Sequence, residues 1–150
     1  SVVLDLMIHD LDLALSLSAA QPLAVEGEGE VDYSGGWDRA QAEVTFDDGF
    51  TAFFDASRMA PERKRTMKLV YPSGEVEIDF ISRAFRNTTG FPLNADYADA
   101  PAVKDTLATS VEGFLAAVRR EAPRPIVTAP EAAQALDLAL AVEQALEDRS

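Results

Sequence analysis

Cysteine is absent from the 150-residue sequence. That excludes disulfides and thiol catalysis, and it suits a cytoplasmic protein. Histidine occurs once, at His9, so a zinc site built on several imidazoles or thiolates is excluded and no metal is expected. No run of 18 apolar residues is present, so no transmembrane helix is expected. The apolar beginning is not a secretory signal, because Asp5, His9, Asp10 and Asp12 interrupt it and no basic residue precedes them. Basic residues are scarce: 13 Lys and Arg stand against 26 Asp and Glu, a net charge of −13. Nucleic acids and anionic membranes require a basic surface, so neither is an expected partner. What remains is an ordinary globular composition, 47% hydrophobic and 26% charged, in a length that suits one domain with a real core.

The most informative stretch is the first predicted helix, Val2 to about Leu17. At about 100° per residue, Leu4, Ile8, Leu11 and Leu15 form one apolar stripe, and Val2, Leu6, Leu13 and Leu17 a second. Between them runs a polar stripe of Asp5, His9, Asp12 and Ser16, with Asp10 elsewhere. A helix that is apolar nearly all round reads as buried, which puts this polar stripe in a core or a cleft wall. Buried carboxylates and imidazoles need partners. Asp5 and His9 have the i,i+4 spacing that lets them pair. Two readings follow: a structural hydrogen-bond network, or a proton-transfer site in which His9 takes a proton and Asp5 orients the ring. A hydroxyl that loses its proton here can lose a hydride from its carbon only to a cofactor, since no side chain accepts hydride.

The basic residues cluster. Arg58, Arg63, Lys64, Arg65 and Lys68 place five of the thirteen within eleven residues. Such a run is ordinarily a solvated strand rim. In so acidic a chain it is also where an anionic substrate group would dock, which makes Arg58 and Arg63 substrate-side candidates.

The rest of the chain reads as strands followed by helices. Leu23 to Tyr33 is an expected strand weakened by glycines and acids. Arg39 to Phe46 alternates cleanly, and Asp47-Asp48-Gly49 signals a hairpin returning through Phe50 to Met59. A second hairpin joins Arg65–Tyr71 to Glu75–Ile81 around Pro72-Ser73-Gly74. Arg83, Phe85 and Asn87 suggest a short strand. A loop follows to Lys104, with Asn87 and Tyr97 as possible pocket-bordering residues. Leu107 to Val118 keeps helical spacing, and Thr128-Ala129-Pro130-Glu131 is a capping-box signature for a last helix ending near Glu147. The expected fold is a single α+β domain over residues 1–150: a mostly antiparallel sheet of about four to six strands with about three helices on one face.

The segment Val3-Leu4-Asp5-Leu6-Met7-Ile8-His9-Asp10-Leu11-Asp12-Leu13-Ala14 resembles the Asp-x-x-x-His-Asp-x-Asp segment that opens the C-terminal domain of the Gfo/Idh/MocA oxidoreductases, which include glucose–fructose oxidoreductase and inositol dehydrogenase. Asp38-Arg39-Ala40, Asp48-Gly49, Ala56-Ser57-Arg58, Ser73-Gly74-Glu75-Val76-Glu77 and Glu112-Gly113-Phe114 follow in the family's order. The resemblance implies the dihydrodipicolinate-reductase-like C-terminal domain of a two-domain dehydrogenase, acting on a sugar, cyclic polyol or nucleotide sugar. It implies NAD or NADP as cofactor, bound mainly by an N-terminal Rossmann domain. It also implies a homo-oligomer, dimer or tetramer, formed through the open sheet face. By the same resemblance His9 is the general base, alone or with a lysine of the other domain. Asp5 holds the imidazole or the substrate hydroxyl, and Asp12 supports them. The sequence contains no Gly-x-Gly-x-x-Gly and no Glu-Lys-Pro segment. The expectation is therefore a C-terminal substrate and oligomerisation domain without its Rossmann partner, inactive alone and with no cofactor-binding residue of its own. The rival expectation is a non-catalytic oligomerisation or ligand-binding domain in which Asp5 and His9 form a structural network.

Overall fold

The computed structural model describes residues 1–18, 20–59, 61, 63–94, 96 and 105–149. Alternation with a period of two sets the strands. These are β1 (Pro22–Glu30), β2 (Arg39–Phe46), β3 (Thr51–Ser57), β4 (Lys64–Tyr71), β5 (Gly74–Asp79) and β6 (Ala84–Asn87). They form one six-stranded sheet in sequence order, each strand antiparallel to the next. Every connection inside the sheet is therefore local. Gly49, at φ 84°, closes the β2–β3 turn by donating to the Phe46 carbonyl at 3.0 Å, a conformation that favours glycine.

Three strands end earlier than their sequence patterns, β5 among them, which stops at Asp79 rather than Ile81. β1 stops at Glu30 rather than running to Tyr33, because the Asp38 carboxylate takes the N–H groups of Asp32, Tyr33 and Ser34 and bends the chain into a loop. β3 ends at Ser57 rather than Met59.

The helical elements are a π-helical turn over Val3–Met7, then α1 (Ile8–Leu17), α2 (Thr106–Val118) and α3 (Ala129–Asp148). The core lies on one face of the sheet. Ala40, Val44, Phe46, Ala52, Phe54, Met67 and Leu69 point into it from the strands. Val3, Met7, Leu11 and Ala14 meet them from the first helical segment, and Leu138, Val142 and Leu146 from α3. Each such side chain contributes roughly 1.5–3 kcal/mol by leaving water. Gly27 of β1 lets α3 approach, since a Cβ there would lie 3.0 Å from Leu146 Cδ2.

The chain divides into two compact units, residues 1–91 with 134–150, and residues 92–133. In the second, Asp105 caps α2 by accepting from the Ala108 N–H at 2.9 Å. Glu131 accepts from the Thr128 N–H at 2.8 Å, the reach-back half of the expected capping box. No helix among the described residues is long and apolar enough to cross a membrane.

Candidate active site

The first helical segment buries one stripe: Val3, Met7, Asp10, Leu11 and Ala14. These positions follow a spacing of three and four residues and lie opposite Asp5, His9 and Ser16, all three of which are exposed. This corrects the expectation that the polar stripe is the buried one. The helix is amphipathic in the ordinary way, with apolar flanks on both sides of a wet face. Asp12 is half-buried on the same segment. The charged residue that this segment does bury is Asp10, only 2% exposed.

Asp10 is held by Arg65 of β4. Arg65 Nε lies 3.1 and 3.0 Å from the two carboxylate oxygens, and Nη2 lies 2.6 Å from Oδ1. The guanidinium carbon stands 4.9 Å from the centroid of the Phe80 ring. Burial pushes the Asp10 carboxyl above its usual range, against the opposing pull of Arg65 and the weaker field of His9.

Asp5 pairs with Arg58, not with His9. Arg58 Nη2 donates to Asp5 Oδ2 at 3.2 Å. His9 has no hydrogen bond to another side chain among the described residues, so the expected Asp5–His9 pair is not formed. The two nevertheless share a face, because residues four apart on a helix are neighbours. Arg58 follows directly on β3, and its Nε is buried without a partner. Its N–H donates to the Asp38 carbonyl at 3.0 Å, and its own carbonyl accepts from the Tyr33 hydroxyl at 3.4 Å.

Asp38 organises this end of the sheet. It is fully buried. Its Oδ2 accepts from the N–H groups of Asp32, Tyr33 and Ser34 at 3.0, 2.9 and 3.1 Å. Burial alone would raise its pKa, but these backbone donors win and hold the carboxyl well below the usual carboxylate range. Next to it, the Trp37 carbonyl accepts from the Val2 N–H at 2.7 Å and ties the loop to the start of the first helical segment. Asp5, Arg58 and Tyr33 are thus linked at one sheet end, where β1 leaves, β2 enters and β3 finishes.

The basic cluster disperses. Arg58 faces Asp5, Lys64 faces Asp55, Arg65 faces Asp10 and Lys68 faces Glu75. Strand alternation explains the split, since Lys64 and Lys68 point to the outer face while Arg65 points to the helices. Arg63 is exposed and has no ion pair among the described residues. Asn87 serves its own turn, donating to the Phe91 carbonyl and accepting from Thr89. Tyr97 lies outside the described residues. No cluster of potential metal ligands occurs among the described residues.

A cavity of about 320 Å³ lies on the outer sheet face, lined by Glu28, Gln41, Glu43, Phe53, Asp55 and Lys68 among others, and it includes none of Asp5, His9 or Arg58. Asp5 and His9 are exposed on their helix face, whereas Arg58 is half-buried beside Asp5. Asp10, Arg65, Asp38 and Tyr33 were not among the sequence-derived site residues. The signal available for Asp10 was its place in the Val3–Met7–Asp10–Ala14 stripe.

A family model for the GFO/IDH/MocA C-terminal domain matches residues 1–78. UDP-N-acetylglucosamine 3-dehydrogenase from Acidithiobacillus ferrooxidans is 34% identical over 129 residues, covering 81% of this chain and 41% of that protein. A solved structure of the GnnA enzyme of that name from the same organism superposes with a TM-score of 0.77 at 29% identity, covering 98% of this chain and 47% of the other. The WlbA dehydrogenase from Bordetella pertussis, solved in complex with NADH and UDP-GlcNAcA, shares the fold at 14% identity, with a TM-score of 0.70 and coverage of 96% and 45%. The chain spans less than half the length of each of these relatives.

Proposed function

This chain belongs to the GFO/IDH/MocA C-terminal domain family, and from that premise we propose that the whole protein is an NAD(P)-dependent oxidoreductase acting on a sugar, cyclic polyol or nucleotide sugar. A nucleotide sugar is the first choice, because the relative that is 34% identical is a UDP-N-acetylglucosamine 3-dehydrogenase. The observation that carries the catalytic reading is the open setting of Asp5 and His9 on one helix face, beside Arg58. A structural network would have closed around the histidine.

In this reading His9 takes the proton of the substrate hydroxyl. Asp5 orients the hydroxyl or the imidazole, and Asp12 supports the pair from the same helix. Arg58 and Arg63 meet the anionic part of a nucleotide sugar. A bound nicotinamide supplies the hydride acceptor that the side chains lack. The described residues do not fit its pyrophosphate: of the positive-φ glycines, Gly35 and Gly49 lie in strand connections and Gly74 opens β5, none at a helix start. We therefore place the cofactor in a separate N-terminal Rossmann domain of the whole protein. Oligomerisation through the outer sheet face completes the proposal. The ion pair of Asp5 with Arg58 is the one feature that favours the rival reading, a binding or assembly domain with a structural network.

The test is an assay of the whole protein with NAD and with NADP against UDP-N-acetylglucosamine, free sugars and inositols, followed by nicotinamide absorbance. Turnover of one of these classes is expected. Absence of turnover across the panel, with both cofactors, overturns the enzyme reading.

A further inference from the structure

We infer that the buried Asp10–Arg65 pair, with Phe80 against the guanidinium, is the device that sets the rotation of the first helix and so aims His9 and Asp5. The inference rests on the catalytic reading of that helix.

An apolar stripe holds a helix to a sheet by non-directional burial, and apolar cores lose uniqueness of packing before they lose stability. The stripe here is Val3, Met7, Leu11 and Ala14. Asp10 interrupts it at its centre with a group that tolerates few geometries. A guanidinium and a carboxylate meeting through two parallel bonds share one plane, and the three contacts between Arg65 and Asp10 are of that kind. Arg65 is itself fixed. It lies opposite Ala56 on β3, its carbonyl accepts from the Phe80 N–H at 3.0 Å, and the Phe80 ring stands beside its charge. His9 is the residue next to Asp10, one step of about 100° around the helix. Any rotation or slide of Asp10 carries His9 with it, and Asp5 a turn earlier. Stability alone is a poor reason for the pair, since buried ion pairs are commonly matched or bettered by apolar side chains of similar volume. Asp10 is buried and the Arg65 guanidinium is engaged with it, so the pair acts through the helix, as positioning residues.

The experiment uses the whole protein. The double variant Asp10→Leu/Arg65→Met replaces the pair with apolar volume. Its unfolding temperature is expected to equal or exceed that of the native protein. Its kcat is expected to fall by roughly 10–100-fold with KM little changed, the pattern of a displaced reacting group. Arg65→Lys is expected not to restore kcat, since an ammonium cannot make the two-bond fork. Native kcat in the double variant overturns the inference. So does a kcat loss that only tracks a loss of stability across the variants.

Deuterium uptake over residues 3–17 in the same variants supplies a readout independent of activity. Faster uptake confined to that segment supports the positioning role, and unchanged uptake overturns it. His9→Ala is the control for the reading beneath it. If that variant keeps native turnover, the catalytic assignment of His9 fails, while uptake still decides whether the pair fixes the helix.

Discussion

Arg58 reaches Asp5 across 53 residues of sequence, Nη2 to Oδ2 at 3.2 Å, with the Asp5 side chain 67% exposed and that of Arg58 28% exposed. An ion pair this wet contributes at most about 1 kcal/mol to stability. Its place on the helix face that Asp5 shares with His9 matters more than its strength. Arg58→Ala is expected to lower stability by no more than about 1–2 kcal/mol, including the lost contacts of its stem. It is expected to raise KM for a nucleotide sugar by about tenfold or more, the cost of one charge-assisted hydrogen bond. Steady-state kinetics and denaturant unfolding on one preparation check both parts, and an unchanged KM removes Arg58 from the substrate side.

His9→Ala is expected to reduce turnover by about 10²–10⁴-fold, the range for losing a general base. Because His9 is exposed and supports no hydrogen bond to another side chain among the described residues, its removal should leave the unfolding transition close to native. Near-native turnover in a well-folded variant would rule it out as the base.

Asp38 and Asp10 make opposite contributions to acid stability. The folded pKa of Asp38 is depressed by three backbone N–H donors. Its contribution is therefore present above the ordinary carboxylate range and is lost as pH falls toward the lower folded value. Asp10 is raised by burial. The native state therefore holds its proton more tightly, and stability from this source is lost as pH rises from the ordinary value toward the raised one. Asp38→Asn is expected to lower the unfolding midpoint at neutral pH and to flatten its fall on acidification. Asp10→Asn should steepen the net fall by removing the opposing term. Thermal unfolding from about pH 6 down to about pH 3 measures both slopes. A parallel displacement of the Asp38→Asn curve, with no change of slope, contradicts the account.

Leu146 is 1% exposed and fills the space above Gly27. Leu146→Ala is expected to cost about 2–5 kcal/mol, because the backbone of β1 and α3 cannot close the void fully. Gly27→Ala is destabilising for the opposite reason, since its Cβ would stand 3.0 Å from Leu146 and 3.2 Å from the Gln41 carbonyl oxygen. Denaturant midpoints give both values. A Leu146→Ala loss under about 1 kcal/mol would mean that α3 does not pack on β1 as described.

The sequence by itself determined the elements whose cause is local. Arg39 to Phe46 is a strand at both ends as read, because eight residues alternate and Asp47-Asp48-Gly49 supplies the turn. The sheet follows from a succession of such hairpins, which pair neighbours and need no long crossover. The first helix was legible as a helix, and its Asp5–His9 spacing as a possible site. Its buried side was not legible, because Leu4, Leu6, Ile8, Leu13 and Leu15 make the flanks apolar and blur the contrast between wet face and core. Only tertiary structure decided that Asp10 goes inside and Asp5 and His9 stay outside. The partner that makes a buried Asp10 tolerable, Arg65, lies 55 residues away and is delivered by the register of β4 against β3. The same holds for Arg58, which meets Asp5 only once β3 has been laid beside β2. Periodicity reports which residues share a face. Which face is solvated, and which charge finds its counter-charge, depends on contacts that form when distant segments pack.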